Sequence, residues 1–412
     1  MARQSFGSFI LTRMKLHRAG HGEGSRFDTI DLLRGLSIVG VVLLHIRIYC
    51  NVIRHPIGRA LPSWLNHVVF YNGGNGVSTF FAISGFLITY ISIRRFGSLR
   101  YVAPLGFYRI RFARIAPMLL LFLGVLSVLH MANVPEFHIK PAVGTLSQAL
   151  FAALTFQLNW FEAVHGWLPP AWTVLWTLSV EEMFYLFFPL LCFLLLRFRA
   201  GTVAFVGVLA ALAILGPFAR TPFYSHNELW LYQSYLGNVD NIALGCLTAM
   251  LADKILRNGR QIRLRWAWML KACGALLMLF IVVWDWPKVI LGWRVKYDLG
   301  HTGTDVTVLG IGACLVMLGS VLRPTAGTRW TAPIRWLGQY SYEVYLTHEF
   351  VVMAVLVTFA RVRQGPIAAW ILAAVIASGA LGFLAARFFS EPMNRALRGR
   401  PVSPRPKLAE LI

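Results

Sequence analysis

The chain is poor in acidic residues and in cysteine, and it lacks the short motifs that mark most soluble enzymes. Against 39 Lys and Arg there are only 17 Asp and Glu in 412 residues; charged residues make up 14% of the chain and hydrophobic ones 57%. So little charge beside so much apolar side chain excludes a soluble globular protein of this length and points to an integral membrane protein. The five cysteines, Cys50, Cys192, Cys246, Cys273 and Cys314, form no CxxC pair and lie in or beside apolar segments, which argues for core-filling thiols and against a disulfide framework. There is no Walker loop, GxGxxG, HExxH or GxSxG, so none of the chemistries those motifs carry is indicated. The histidines are scattered, and no metal is expected. A net charge of +22 would suit nucleic acid, but the basic residues recur between apolar segments without interleaved aromatics. No nucleic-acid partner is expected, and the pattern reads as membrane topology.

What is present is a series of apolar stretches of spanning or near-spanning length: Leu32 to Cys50, Gly76 to Ile93, Ile115 to Met131, Trp172 to Leu196, Val203 to Arg220, Leu236 to Ala252, Trp268 to Trp284, Asp305 to Leu322, Leu337 to Ala360 and Ala369 to Phe388. They predict an all-α integral membrane fold of about ten transmembrane helices. An eleventh stretch, Val143 to Leu158, is short and runs into NWFEAVHGWLPPAWT, which has no Lys or Arg. It is read as a re-entrant or interfacial helix, because counting it as a crossing would invert every later loop. With ten crossings, 27 basic residues fall on the side of the N-terminus and 10 on the other. The positive-inside rule then places both termini in the cytoplasm. The expected organisation is a basic tail over 1–30, a transmembrane domain over 31–391 and a second basic tail over 392–412. The first thirty residues lack a signal-peptide apolar core, and no soluble domain is evident.

Polar residues inside these stretches are the candidates for function. Arg34 and His45 both lie in LLRGLSIVGVVLLH; eleven residues at about 100° and about 1.5 Å each put them on nearly one helix face, about 16 Å apart. Ionisable residues at membrane depth usually face the bundle interior or a water-filled cavity. In NGGNGVSTFFAISGFLITY, Gly73, Gly74, Gly76 and Gly85 allow close backbone approach, and Ser78, Thr79 and Ser84 can hydrogen-bond between helices. In FYRIRFARIAP, Arg109, Arg111 and Arg114 crowd the cytoplasmic mouth of the third span, as a topology signal or as a grip on phosphates. In WTVLWTLSVEEMFYLFFP, Ser179, Glu182 and Tyr185 recur every three residues, and Glu181 points about 100° away from Glu182, so at most one of the two acids can share a cavity with Arg34 and His45. In LGQYSYEVYLTHEF, Ser341, Tyr345 and His348 share a face about halfway along a span.

Taken together, these segments resemble the membrane acyltransferase-3 family, which O-acylates sugars and other hydroxyl-bearing molecules. The resemblance rests on DLLRGLSIVGVVLLH with its Arg, ten residues, His signature, then GVSTFFAISGFLI, RIRFARIAP, WTLSVEEMFYLFFP, SYEVYLTHEF and the closing FFSEPMNRAL. They stand in family order from Phe27 to Leu397. Many relatives have an acidic residue where Ser78 stands and Gln where Met183 stands. Some append an extracellular esterase-like domain, which is not expected here.

The resemblance implies a bacterial inner-membrane enzyme that moves an acyl group, acetyl above all, from cytoplasmic acyl-CoA to a hydroxyl of a cell-envelope carbohydrate or related acceptor. His45 suits the general base, or a transient acyl carrier, because imidazole titrates near neutrality. Arg34 and Glu182 complete the expected catalytic set, with Glu182 orienting His45 or the acceptor and Glu181 second choice. Arg109, Arg111 and Arg114 are expected to hold the donor, while Asp31, Ser84, Trp176, Ser179, Glu181, Tyr185, Tyr345 and His348 support the site. His45 toward the outside and Arg34 toward the inside suggest that donor and acceptor enter from opposite faces. The alternative is a transporter or flippase for a lipid-linked sugar using the same buried charges, although the Arg-to-His pair is not echoed in the second half of the chain.

Overall fold

The computed structural model describes residues 24–53, 61–221, 224–259, 262–284 and 303–398. The expected tails over 1–23 and 399–412 lie outside the described residues, as do Arg54, Arg59, Arg260, Lys288, Arg294 and Lys296 from the loop counts. All regular structure among the described residues is helical. In chain order the helices are α1 (Gly24–Val52), α2 (Ser63–Phe70), α3 (Gly73–Phe96), α4 (Pro104–Met131), α5 (Leu146–Leu154), α6 (Leu158–His165), α7 (Pro170–Thr173), α8 (Leu175–Leu195), α9 (Gly201–Ala219), α10 (Glu228–Gln233), α11 (Tyr235–Arg257), α12 (Leu264–Trp284), α13 (Asp305–Leu322), α14 (Ala332–Gln339), α15 (Ser341–Val362), α16 (Ile367–Ala385) and α17 (Glu391–Arg398). A π-turn over Ala386–Ser390 joins the last two. Because α1 begins at Gly24, the end of the tail expected over 1–30 is already helical.

Nine helical stretches among the described residues are long and apolar enough to cross a membrane, where ten were expected. The remaining stretch, Leu236 to Ala252, forms most of α11. Its buried Asn238, Asp240 and Asn241 make it less apolar than the other nine. These polar groups are matched from inside the bundle. Arg220 grips Asp240 with two bonds, 2.6 Å from Nη2 to Oδ2 and 3.2 Å from Nη1 to Oδ1, and Thr307 Oγ1 donates to Oδ2 at 2.5 Å. Arg220 also donates to the carbonyls of Gly303 and Gly237.

Helix α3 packs against α1 and α11, and its glycines set how close they come. A Cβ at Gly85 would strike the Ile242 backbone, one at Gly245 would strike Ala82, and one at Gly76 would strike Ser37. Ser78 and Thr79, read from the sequence as able to bond between helices, instead donate to Gly74 O and Asn75 O of their own helix. The outer faces of α4 and α8 expose Leu120, Leu121, Val128, Leu186, Phe187 and Phe193, as a lipid-facing surface does.

The stretch Val143 to Leu158 is a short element. Helix α5 is nine residues long, about 14 Å against a hydrocarbon core of about 30 Å. Thr145 starts it in a capping box with Gln148. The next helix, α6, is pinned through Glu162, which is fully buried. That carboxyl accepts from Leu168 N at 3.1 Å, Thr173 Oγ1 at 2.5 Å and Gln233 Nε2 at 2.9 Å. Burial outweighs these bonds and pushes its pKa from 4.5 up to about 7. Four of the five cysteines are buried and all are free; Cys273 is exposed on α12.

Candidate active site

The polar stripe of α1 faces α15. Arg34 Nε donates to Ser341 Oγ at 3.1 Å, and eleven residues further on His45 Nδ1 lies 3.1 Å from His348 Nε2. Between these two contacts lies Tyr345, whose ring centroid is 5.8 Å from that of His348. The Tyr345 hydroxyl donates to Val174 O at 3.0 Å and accepts from Thr177 Oγ1 at 3.0 Å.

On the Arg34 side of Tyr345 opens a cavity of about 420 Å³. Arg34, Arg95, Arg111, Arg114 and Arg398 contribute to its wall, with Glu181 as the one carboxylate, and Val77, Phe80, Phe81, Ile88 and Leu346 are among the apolar residues of the remainder. Such a volume, lined by apolar groups with a few placed charges, is that of a small-molecule site. Arg114 is held 3.2 Å from Glu343, which also accepts from Ser390 Oγ at 2.7 Å. The Arg111 guanidinium lies 4.0 Å over the Tyr185 ring, and the Tyr185 hydroxyl is hydrogen-bonded to Ser84 Oγ. Glu181 faces Arg111, Ser84 and Tyr185.

On the far side of Tyr345 His45, His348 and Glu349 converge. Glu349 Oε1 lies 3.2 Å from His45 Nε2 and 3.5 Å from His348 Nε2. His348 Nδ1 is 2.6 Å from Tyr345 O, and His45 Nδ1 is 3.0 Å from Val41 O. His348 and Glu349 have no exposed side-chain surface, whereas His45 keeps 18%. It is therefore the member of the trio that a substrate can reach. The ligand-type atoms of the three lie within 4.8 Å of one another, close enough to raise the question of a metal. His348 Nε2 also lies at hydrogen-bond distance from His45 Nδ1.

The structure sorts the residues expected from sequence. Arg34, Arg111, Arg114, Ser84, Glu181, Tyr185 and Tyr345 line the cavity; His45 and His348 stand together beyond it. Glu181, the second choice, lines the cavity and Glu182 does not; the Glu182 Oε1 atom is buried without a hydrogen-bond partner. Arg109 turns away, donating to Leu397 O at 3.4 Å and tying α17 to α4. Asp31 sits 3.9 Å from Arg34 and accepts from Gln339. Ser179 accepts from Leu158 N at the start of α6, and Trp176 packs edge-on to Phe81. Sequence reasoning missed Glu349, Glu343, Arg95 and Arg398. A signal for Glu349 was present, since an acid directly follows His348 inside a membrane span; Arg95 and Arg398 are hidden among ordinary cytoplasmic-side basic residues.

Comparison with known proteins identifies the family. Residues 27–386 match the acyltransferase-3 family model, described as an acyltransferase domain. The chain is similar to the O-acetyltransferase OatA of Staphylococcus aureus (strain NCTC 8325), 24% identical over 378 residues, covering 89% of this chain and 57% of that protein. It is also similar to the peptidoglycan O-acetyltransferase OatA of Listeria monocytogenes, 22% identical over 339 residues, covering 78% of this chain and 48% of that protein. The chain thus spans about half the length of the curated relatives it matches. No solved structure matches. With the family model matched over most of its length, the chain belongs to the acyltransferase-3 family.

Proposed function

We propose that this protein is a membrane O-acyltransferase that moves an acetyl group from cytoplasmic acetyl-CoA to a hydroxyl of a cell-envelope carbohydrate, with His45 as general base. The observation that carries this reading is a five-arginine cavity lined by Tyr345, whose ring lies 5.8 Å from that of His348, the buried partner of the accessible His45. Guanidinium groups around an apolar pocket suit a donor with phosphates at one end and a pantetheine arm at the other. The two relatives, named as O-acetyltransferases and one of them as acting on peptidoglycan, support acetyl as the group and an envelope carbohydrate as the acceptor.

In the proposed reaction the donor enters from the side of Arg95 and Arg398, with its thioester toward Tyr345. The acceptor hydroxyl arrives on the other side, at His45. Its oxygen attacks the thioester carbonyl while its proton passes to His45. Arg34, held by Ser341 on the cavity side of Tyr345, holds the acyl end of the donor in position for that attack. The intermediate collapses with cleavage of the carbon–sulfur bond, and the leaving thiolate takes the proton back from His45. The products are the O-acetyl ester and free coenzyme A, and no covalent enzyme intermediate is required.

The parity of the helices supports ten crossings, which puts both termini on one side, and the excess of basic residues on that side favours the cytoplasm. Arg34 and then His45 on α1 meet Ser341 and then His348 on α15, so these helices run in the same direction. The sense is right when α15 is the ninth crossing, which requires α11 to be counted. Binding of coenzyme A to the protein in nanodiscs tests the donor half. Measurable affinity in the native chain, weakened about tenfold by Arg111→Ala, is expected, a loss in the range of one charge-assisted bond. Absence of binding, or equal binding by both, would contradict the assignment.

A further inference from the structure

We propose that Glu349 is the positioning residue of the histidine site, its carboxylate receiving and stabilising the imidazolium that forms on His45 as the acceptor gives up its proton. The inference rests on the reading of His45 as the base, and it begins from the direction of each hydrogen bond. A carbonyl oxygen only accepts, so the contact from His348 Nδ1 to Tyr345 O puts the hydrogen on Nδ1 and leaves Nε2 as an acceptor. By the same logic the contact from His45 Nδ1 to Val41 O puts a hydrogen there, and that hydrogen also faces His348 Nε2. One nitrogen then remains for chemistry, His45 Nε2, and it faces Glu349 Oε1 at 3.2 Å.

The state of Glu349 before transfer fits this role. It is fully buried, no cation among the described residues is paired with it, and the neutral hydroxyl facing it is that of Tyr49. A buried carboxylate left so is costly. Glu343, six residues earlier on the same helix, shows the ordinary solution, with Arg114 and Ser390 both bound to its Oε1. Glu349 instead has no arginine among the described residues, and a proton arriving on His45 Nε2 supplies the cation. The balance closes: the acceptor O–H bond breaks, an N–H bond forms at His45 Nε2, Glu349 stays a carboxylate and gains a charge-assisted bond, and the proton leaves with the thiolate. The titratable groups facing Glu349 are His45 and Tyr49 from α1 and His348 and Tyr345 on its own helix, with Glu136 beyond Tyr49.

The test compares Glu349→Gln, Glu349→Asp and His45→Ala for acetyl transfer from acetyl-CoA across pH, in nanodiscs. Expected for Glu349→Gln is a rate at least tenfold lower, an unchanged KM for acetyl-CoA and an acid limb of the pH profile displaced to lower pH, with Glu349→Asp recovering part of the rate. A native rate and profile in Glu349→Gln, with His45→Ala inactive, would overturn the role of Glu349 and leave that of His45 standing. A fully active His45→Ala would remove both. A readout that needs no variant to fold is nuclear magnetic resonance of the native protein, labelled at the histidine nitrogens and glutamate carboxyls. The His45 Nε2 and Glu349 signals are expected to titrate together; titration of His45 with no response at Glu349 would overturn the proposal.

Discussion

The Arg34 guanidinium and the Ser341 hydroxyl, 307 positions apart in sequence, meet at 3.1 Å and fasten α1 to the first turn of α15. Ser341 has no exposed surface to speak of, at 2%, so Arg34 is aimed by a partner that water does not displace. Ser341→Ala is expected to lower acetyl transfer several-fold, on the scale of one hydrogen bond to a charged group, about 1.5–3 kcal/mol. Arg34→Lys should lower it further, because a lysine cannot keep both the bond to Ser341 and a forked grip on the donor. Initial rates at saturating acetyl-CoA check both; native rates in Arg34→Lys would remove Arg34 from the chemistry.

The cavity arginines differ in what holds them, and their substitutions should differ accordingly. Arg111 rests on Tyr185 and faces Glu181, and Arg398 stands exposed at the mouth. Arg111→Ala and Arg398→Ala are expected to raise the KM for acetyl-CoA about tenfold, with the larger salt dependence at the exposed Arg398. Arg109→Ala, outside the cavity, should leave that KM near its native value. Steady-state kinetics at two ionic strengths distinguish the three.

Removing one partner of the buried Arg220–Asp240 pair should be felt in stability more than in catalysis. Asp240→Ala leaves a guanidinium that is 9% exposed without its carboxylate, and breaking such a pair typically costs about 3–5 kcal/mol. A clearly lower thermal midpoint in detergent is expected, with the KM for acetyl-CoA unchanged in the folded fraction. An unaltered midpoint would mean that the pair contributes nothing to the α9–α11–α13 packing.

Glu162 predicts a pH dependence of stability with a definite sign. Its pKa is raised from 4.5 to about 7 in the folded chain, so the folded state binds the proton more tightly than the unfolded one. The stability contributed by this group is full below about pH 4.5 and is lost as pH rises through about 7. Thermal midpoints measured across that window should carry a falling component in the native chain that is absent in Glu162→Gln. Identical slopes would contradict it.

Much of this arrangement was legible in the sequence because a membrane leaves few reasons for a polar residue inside an apolar run. Arg34, His45, Tyr345 and His348 stood out on that ground, and the structure gathers all four along the α1–α15 seam. The short Val143 to Leu158 element was legible from its length and its charge-free continuation. Helical spacing alone did not decide between Glu181 and Glu182, because which acid enters the cavity depends on where α8 meets Arg111 and Ser84. The single-residue register of α15 hid Glu349, which spacing on one face of the helix passed over. The match of Arg220 to Asp240 joins α9 and α11 across a tertiary contact that no local pattern encodes.

The central claim is tested most directly by following radiolabelled acetyl from acetyl-CoA into the cell-envelope carbohydrate fraction, with membranes carrying the native chain or His45→Ala. The account predicts label in carbohydrate with the native chain and none above background with His45→Ala; equal incorporation by both would contradict it.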